Sequence, residues 1–253
     1  MDLLKVDGVT VEFGGITALS GLTFTVNEGE ICGLIGPNGA GKTTVFNVLS
    51  RIYEPTQGCV TFDGTDLLAV PAHGIAHIGI GRTFQNLALF PSMSLLENVM
   101  VGAHSDGKVG FIRAITRLGV RKEDRILRER AMSLLESFGL AELASRPATG
   151  LPFGTLKRVE IARALAAKPK FVMLDEPASG LTHSEVDELA DTLVRVRKDF
   201  DLTMLLVEHH MSMVMKVSDR IVVMEFGRKI AEGTPSEVRE NPEVVRAYLG
   251  SDA

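Results

Sequence analysis

Apolar and polar positions alternate over three short stretches near the start of the chain. These are residues 9–13, 22–26 and 59–62, with glycine- and asparagine-containing turns between them. Alternation with a period of two is typical of strands that bury one face. The pattern therefore predicts a small antiparallel sheet within the first sixty residues.

Three runs are apolar throughout instead of alternating. They cover residues 31–35, 171–174 and 204–207. Continuous apolar runs of this length are typical of strands buried on both faces, and helical patterns separate the later two. We therefore predict a parallel sheet built from βαβ units, with the first run set into the antiparallel sheet.

Helix starts are marked at two places in the second half of the chain. Thr182 with Glu185, and Thr234 with Glu237 after Pro235, match the capping-box pattern in which the two side chains satisfy free N–H groups. We expect a helix to begin after each threonine.

The stretch from about 86 to 159 differs from its surroundings, because it has no strand signal. Residues 125–138 are amphipathic at helical spacing. We interpret this stretch as a helical lobe inserted into an α/β core made of about 1–85 and 160–253. There is no internal repeat or low-complexity linker, so the prediction is one folding unit over residues 1–253.

Composition narrows the class of protein. The chain has 253 residues, 45% hydrophobic and 23% charged, and its net charge of −5 offers no general field for nucleic acid. Two cysteines, Cys32 and Cys59, are too few for a metal or disulfide framework. Nothing resembles a signal peptide, and no apolar stretch approaches about 20 residues. We expect a cytoplasmic protein.

Residues 36–43 read GPNGAGKT, which is a complete P-loop motif between a predicted strand and a predicted helix. Glycines let backbone N–H groups turn toward a polyphosphate, the helix start adds positive potential, Lys42 supplies a charge and the Thr43 hydroxyl can bind Mg²⁺. The motif predicts ATP and Mg²⁺ as cofactors. The candidate nucleotide-binding residues are Gly36, Asn38, Gly39, Ala40, Gly41, Lys42, Thr43 and Thr44.

Two acidic residues follow the apolar run at 171–174. Asp175 lies at the carboxyl end of a buried strand, where open α/β sheets place ligand chemistry, and is the candidate Mg²⁺ partner. Glu176 is the candidate base that deprotonates a water attacking the γ-phosphate. Taken alone, the pair also fits a surface turn; the P-loop favours the catalytic reading.

A pair of histidines follows the run at 204–207. His209 is positioned to reach the γ-phosphate from the same sheet edge, and His210 is its competitor. Side-chain alternation predicts that only one of the two faces the nucleotide. A structural histidine at a strand end is the alternative.

With these motifs the chain resembles the ATP-binding-cassette family over essentially its whole length. The resemblance implies that Phe13 stacks on adenine, unless it is a strand core residue. It also implies that Gln85, in the sequence RTFQN, binds the ATP–Mg²⁺ site and links it to a transmembrane partner, unless it is a polar loop residue, and that His209 is the switch histidine.

Two motifs depart from the family pattern. The signature loop, usually LSGGQ, reads LPFGT at residues 151–155. Pro152 removes a hydroxyl and an N–H, and Phe153 occupies a glycine position, so Gly154 and the helix start remain as groups that face phosphate. Thr182 replaces the usual aspartate of the D-loop but still serves as a helix cap.

Within the family the chain looks most like the ATP-binding subunits of branched-chain (hydrophobic) amino acid importers, on the sequence RTFQ and the tail VVRAYLG at 244–250. That likeness implies integral membrane permease partners, an indirect extracytoplasmic solute-binding protein, a second and different ATP-binding subunit, and a peripheral place on the inner membrane face. A homodimer, a lipid or lipopolysaccharide exporter and a soluble non-transport ATPase are the alternatives. A switch GTPase is disfavoured because no NKxD element follows the P-loop.

The stretch from 104 to 130 has a local charge of +4, because it contains eight basic residues and four acidic ones. A solvated helical face is one interpretation. Contact with anionic lipid headgroups or with a membrane subunit is the other.

Overall fold

A computed structural model describes residues 1–83, 87–103 and 120–249. Its first layer is an antiparallel sheet in the order β2-β1-β4-β5. The strands are β1 (Asp2–Phe13), β2 (Ile16–Asn27), β4 (Gln57–Phe62) and β5 (Thr65–Asp66). The predicted antiparallel sheet is confirmed, with strands longer than the alternating stretches.

The second layer is a six-stranded sheet in the order β10-β9-β3-β8-β7-β6. Its strands are β3 (Ile31–Ile35), β6 (Ile80–Arg82), β7 (Phe171–Asp175), β8 (Thr203–Val207), β9 (Arg220–Glu225) and β10 (Arg228–Gly233). All neighbouring pairs are parallel except β9 with β10. The predicted parallel sheet is confirmed for the three apolar runs.

The prediction that β3 is set into the antiparallel sheet is wrong. β3 pairs in parallel with β8 on one side and β9 on the other. Cys32 and Leu34 face the antiparallel sheet and the helix after the P-loop, whereas Ile31 and Ile35 face helices on the other side. A strand with all five residues buried needs cover on both faces, and the centre of the parallel sheet supplies it.

The helices belong to two groups. The core carries α1 (Lys42–Leu49), α5 (His183–Asp199), α6 (Met211–Val217), α7 (Pro235–Glu240) and α8 (Pro242–Leu249). Between β6 and β7 come α2 (Leu95–Gly102), α3 (Val120–Ser137) and α4 (Phe153–Leu165). Short 3₁₀ turns cover Leu67–Ala69, Ala72–Gly74 and Ala141–Leu143.

Both predicted capping boxes are confirmed. Thr182 and Thr234 each accept a hydrogen bond from the backbone N–H three residues later, and the carboxylates of Glu185 and Glu237 in turn accept one from the threonine N–H. The predicted amphipathic helix at 125–138 is α3. In the described part of residues 86–159 the chain forms no strand, only an isolated bridge between Ser94 and Pro147.

The apolar core runs without a break from the inserted helices into the sheet. Leu95 and Val99 of α2 and Leu134 of α3 belong to the same buried cluster as Val172 of β7 and Leu206 of β8. The helices between β6 and β7 are therefore fixed against the parallel sheet by packing as well as by chain connections. No helix in the described ranges is long and apolar enough to span a membrane.

Candidate functional site

The P-loop lies between the end of β3 at Ile35 and the start of α1 at Lys42. The backbone shape requires glycine at two of its positions. A Cβ at Gly36 would lie 2.1 Å from the Met224 carbonyl oxygen, and Gly41 has a φ of 98° with the Ala18 carbonyl 2.8 Å from where its Cβ would lie. The loop is thus packed against neighbouring strands that allow no side chain there.

The Lys42 ammonium closes the loop on itself. Its Nζ donates to the carbonyl oxygens of Gly36, at 2.6 Å, and Pro37, at 2.9 Å. Burial lowers the pKa of Lys42, and the negative charges of Glu176 and Asp175 act in the opposite direction. A cation held on a glycine-rich loop at the start of a helix is suited to binding polyphosphate.

A cavity of about 490 Å³ opens above this loop. It brings Glu176, which follows β7, to the same space as Lys42 and Thr43. Its lining comprises Ile16, Thr17, Ala18, Asn38, Gly39, Ala40, Gly41, Lys42, Thr43, Thr44, Glu176 and Phe226. Of the residues selected from the P-loop motif, Gly36 alone is outside this lining.

Asp175 is almost fully buried at the end of β7 and its two carboxylate oxygens differ. Oδ2 accepts a hydrogen bond from Arg82 at 3.1 Å, while Oδ1 is buried without a hydrogen-bond partner within the described part of the chain. Burial raises the pKa of Asp175, and Arg82 opposes the rise. A buried oxygen left without a donor is suited to a hard divalent cation or a water bound to one, as is the Thr43 hydroxyl at the start of α1.

Glu176 has an unusual backbone. Its φ is +48°, a left-handed conformation that is uncommon for residues other than glycine, and its N–H donates to the Val207 carbonyl at 2.9 Å. Backbone strain of this kind costs about 1–3 kcal/mol and concentrates at functional sites. Here the bend after β7 places the side chain on the phosphate-loop cavity.

The histidine pair differs from the sequence prediction in one respect. β8 ends at Val207, so His209 and His210 lie in the turn before α6, and alternation does not separate them: their ring centroids are 4.5 Å apart. His210 Nδ1 is 3.1 Å from Glu208 Oε2, and His209 is exposed. The alternation argument is therefore wrong, and His209 as the γ-phosphate contact stays a prediction.

Glu208 connects the histidine turn to the segment after Glu176. Its buried carboxylate accepts from the Ala178 N–H at 2.6 Å and from the N–H groups of His209 and His210 at 3.1 and 3.3 Å. Ligand atoms of the three consecutive residues lie within 4.8 Å of one another. Because both Glu208 oxygens already accept protein hydrogen bonds, the carboxylate serves as a link between the two turns.

Three residues assigned by resemblance lie away from this cavity or outside the described residues. Phe13, half-exposed at the end of β1, packs edge-on against Tyr53 with centroids 4.9 Å apart. Gly154 is buried, and a Cβ there would lie 2.6 Å from a Glu185 oxygen, so close packing against α5 explains the glycine. Gln85 lies outside the described residues, as do Gly250 of the tail and most of the basic stretch.

Two residues of the site were missed from sequence. The sequence singles out Arg82 only as part of the motif RTFQ. Phe226 lies in the turn between β9 and β10, is 84% exposed and has a φ of +46°. The next residue, Gly227, fixes this turn to the P-loop because its N–H donates to the Ala40 carbonyl. The sequence does contain a signal for Phe226. The apolar run 221–224 is followed by Phe226 and Gly227, and a glycine at that place is typical of a hairpin turn, which would leave the phenylalanine exposed.

A P-loop between strand and helix, two acids at the end of another parallel strand of the same sheet and a group of helices between β6 and β7 together define an ATP-hydrolysing cassette. A family model described as "ABC transporter" matches residues 19–179, and one described as "Branched-chain amino acid ATP-binding cassette transporter" matches residues 228–253. The chain belongs to the ABC transporter family, as an ATP-binding ATPase subunit.

Known relatives agree with that assignment over the full length. The high-affinity branched-chain amino acid transport ATP-binding protein BraF of Pseudomonas aeruginosa is 43% identical over 98% of each chain. A crystal structure of the ADP conformation of an ABC transporter's ATP-binding cassette is 32% identical, covers 99% of each chain and has a TM-score of 0.86. A dimeric cassette in a post-hydrolysis state with ADP and phosphate is 27% identical, covering 92% of this chain and 98% of its own, with a TM-score of 0.76.

Proposed function

We propose that this ATPase subunit powers the import of branched-chain amino acids or similar small solutes. The observation that carries the proposal is the C-terminal match at residues 228–253, which adds to full-length relatives named for branched-chain amino acid transport. The part of that tail up to Leu249 includes β10 and the two last helices, packed beside the P-loop strand. A lipid exporter subunit is the alternative, and no feature of the described residues favours it.

Each site residue has a proposed role in hydrolysis. Lys42 and the P-loop amides bind the phosphates of ATP, while Thr43 and Asp175 hold Mg²⁺, which neutralises charge on the phosphates when bound. Glu176, on the same cavity as Lys42, accepts the proton of the attacking water. His209 contacts the γ-phosphate, Phe13 stacks on adenine, and Gln85 senses the site, as the family resemblance implies.

The partners we propose are integral membrane permease subunits, which would hold this chain at the inner membrane face, with a solute-binding protein acting outside. A second and different ATP-binding subunit completes the ATP site built on this chain's P-loop with its own signature loop. The chain itself is proposed to be one nucleotide-binding domain, with the helices between β6 and β7 contacting the permease. The shared apolar core of these helices and the sheet supports that organisation.

The chemistry can be tested on the purified chain with two variants. Glu176→Gln should keep ATP affinity and lower turnover by about 10²–10⁴, the usual scale for losing a positioned base. Glu240→Gln, an exposed acid at the end of α7, is the matched control. Near-normal turnover of Glu176→Gln would remove Glu176 from that role.

The cargo needs the assembled transporter. In proteoliposomes that contain the permease and both ATPases, leucine-loaded binding protein should stimulate hydrolysis and uptake, and Glu176→Gln should abolish both. Stimulation by a different class of solute, with none by leucine, isoleucine or valine, would contradict the proposed substrate while leaving the ATPase assignment unchanged.

A further inference from the structure

Arg82, the last residue of β6, makes contacts with two other parts of the phosphate site. Its Nη1 donates to Asn47 Oδ1 and Ser50 Oγ, each at 2.9 Å, at the far end of α1. Its Nη2 donates to Asp175 Oδ2 at 3.1 Å, and its guanidinium lies 5.5 Å from the centroid of the Phe46 ring. One side chain thus joins the P-loop helix, the end of β7 and the end of β6.

The next residue strengthens the same connection through the backbone. Thr83 donates its N–H to the Met173 carbonyl at 2.9 Å, and its Oγ1 accepts from the Asp175 N–H at 3.2 Å. Asp175 is therefore held at two points, on its carboxylate by the last residue of β6 and on its backbone by the residue that follows. The chain continues from Thr83 toward Gln85.

As a consequence, the two carboxylate oxygens of Asp175 have different surroundings. Arg82 occupies Oδ2 with a charge-assisted hydrogen bond, whereas Oδ1 is buried and lacks a partner within the described residues. Charge-assisted bonds from a planar guanidinium fix both position and rotation of a carboxylate. Without Arg82, Asp175 could turn either oxygen to a cation or bind it with both.

We propose that Arg82 is a positioning residue for the metal, which reserves Oδ2 of Asp175 for itself and leaves Oδ1 as the oxygen that meets Mg²⁺ or its bound water. This inference rests on the proposed role of Asp175 in holding Mg²⁺. Arg82 is also the contact through which the end of β6 fixes the position of the Asp175 carboxylate relative to the P-loop helix.

The experiment separates metal binding from nucleotide binding. The affinity of the full chain for a fluorescent ATP analogue is measured in EDTA, and the affinity of the ATP-analogue complex for Mn²⁺ is measured by electron paramagnetic resonance. Arg82→Gln should change nucleotide affinity in EDTA by no more than about two-fold but lower Mn²⁺ affinity by about 10- to 150-fold, the scale of one hydrogen bond to a charged group. Arg82→Lys keeps the positive charge but lacks the planar guanidinium with its several donors, so it should recover part of the lost Mn²⁺ affinity.

Arg51→Gln is the matched control. Arg51 is equally buried and follows the same helix, but its partners are the Val70 carbonyl and Glu54. The proposal is overturned if Arg82→Gln lowers Mn²⁺ affinity no more than Arg51→Gln does. It is also overturned if nucleotide affinity in EDTA falls in parallel, because Arg82 would then only support the P-loop helix.

Asp175→Asn distinguishes this inference from the proposed function. If Asp175→Asn leaves Mn²⁺ affinity unchanged, the metal role of Asp175 fails, and the role of Arg82 fails with it. If Asp175→Asn lowers the affinity and Arg82→Gln does not, only the positioning role fails. Support requires both losses, together with a double variant whose loss is no larger than that of Asp175→Asn alone.

Discussion

The departure of the signature loop from the family pattern leads to a prediction about dimerisation. Pro152 is the N-cap residue of α4 and provides no side-chain cap, and Phe153 begins the helix. The Phe153 ring lies against Gly180 in the loop that precedes Thr182, since a Cβ at Gly180 would be 3.0 Å from the ring. Lys157 Nζ is 5.8 Å from the centroid of the same ring. The perturbation is Pro152→Ser combined with Phe153→Gly.

The effects on the subunit itself nearly cancel. A serine at the N-cap stabilises a helix by about 0.5–2 kcal/mol. Loss of the Phe153 ring removes a partly exposed cation–π contact worth about 0.5–1 kcal/mol, and glycine in the first turn costs up to about 1 kcal/mol. The unfolding free energy of the variant should therefore stay within about 1 kcal/mol of the parent value, which chemical denaturation can check.

The effect on the dimer should be larger. A serine hydroxyl that reaches the γ-phosphate held by the opposite subunit is a hydrogen bond to a charged group, worth about 1.5–3 kcal/mol. A homodimer regains two such bonds, one at each site, so in a Glu176→Gln background with ATP the double variant should associate about 10²- to 10⁴-fold more tightly than the parent loop. Sedimentation velocity with and without ATP measures this.

Pro152→Ala with Phe153→Gly is the control, because it removes the ring and the proline without adding a hydroxyl. The reasoning is refuted if the natural loop already gives a tight ATP-dependent homodimer with two equally active sites. It is also refuted if the alanine control associates as strongly as the serine variant, since the backbone at Gly154 would then be enough.

Three further predictions concern the phosphate loop and its surroundings. Lys42→Ala should retain the fold but lose most of its ATP affinity in equilibrium binding, because the positive charge that faces the phosphates is removed. Unchanged affinity would contradict the assignment of the P-loop as the phosphate-binding site. Phe226→Ala should weaken ATP binding by about 5- to 150-fold, the scale of one base–aromatic stack, and leave inorganic triphosphate binding unchanged; equal losses would contradict a contact with the nucleoside. Tyr248, whose pKa burial raises to about 12, hydrogen-bonds the Gly36 backbone; Tyr248→Phe should lower the unfolding free energy by about 1 kcal/mol in urea, and an unchanged value would show that the bond contributes nothing.

The sequence was informative wherever local pattern decides structure. The P-loop turn, the buried runs that became β3, β7 and β8, and the capping boxes at Thr182 and Thr234 all depend on residues within a few positions of one another. The convergence of Lys42 and Glu176 on one cavity also follows, because the carboxyl ends of parallel strands meet at one edge of the sheet.

What the sequence did not predict depends on contacts between distant segments. β6 has three residues, too few for a period to show, and its pairing with β7 joins positions about 90 residues apart. The partners of Arg82 follow from that pairing. β9 is absent from the predicted strands although residues 221–224 are apolar throughout, and its place beside β3 depends on a pairing across a long connection. Nor could alternation be applied to His209 and His210, because the strand ends two residues earlier.

The strand order explains why the residues proposed for hydrolysis lie together and how the inserted helices could act on them. Along the carboxyl edge, β3 leads into the P-loop, β8 into the turn with His209, β7 into Asp175 and Glu176, and β6 into Thr83. The inserted helices follow the carboxyl end of β6, which lies beside Asp175, and the chain returns from them to the amino end of β7, at the opposite edge of the sheet. Because Arg82 and Thr83 hold Asp175 by its carboxylate and its N–H, a displacement of the β6 end must move the Asp175 carboxylate, or break the two bonds that fix it. A force on the inserted helices therefore has a short physical path to the phosphate site that does not pass through the nucleotide.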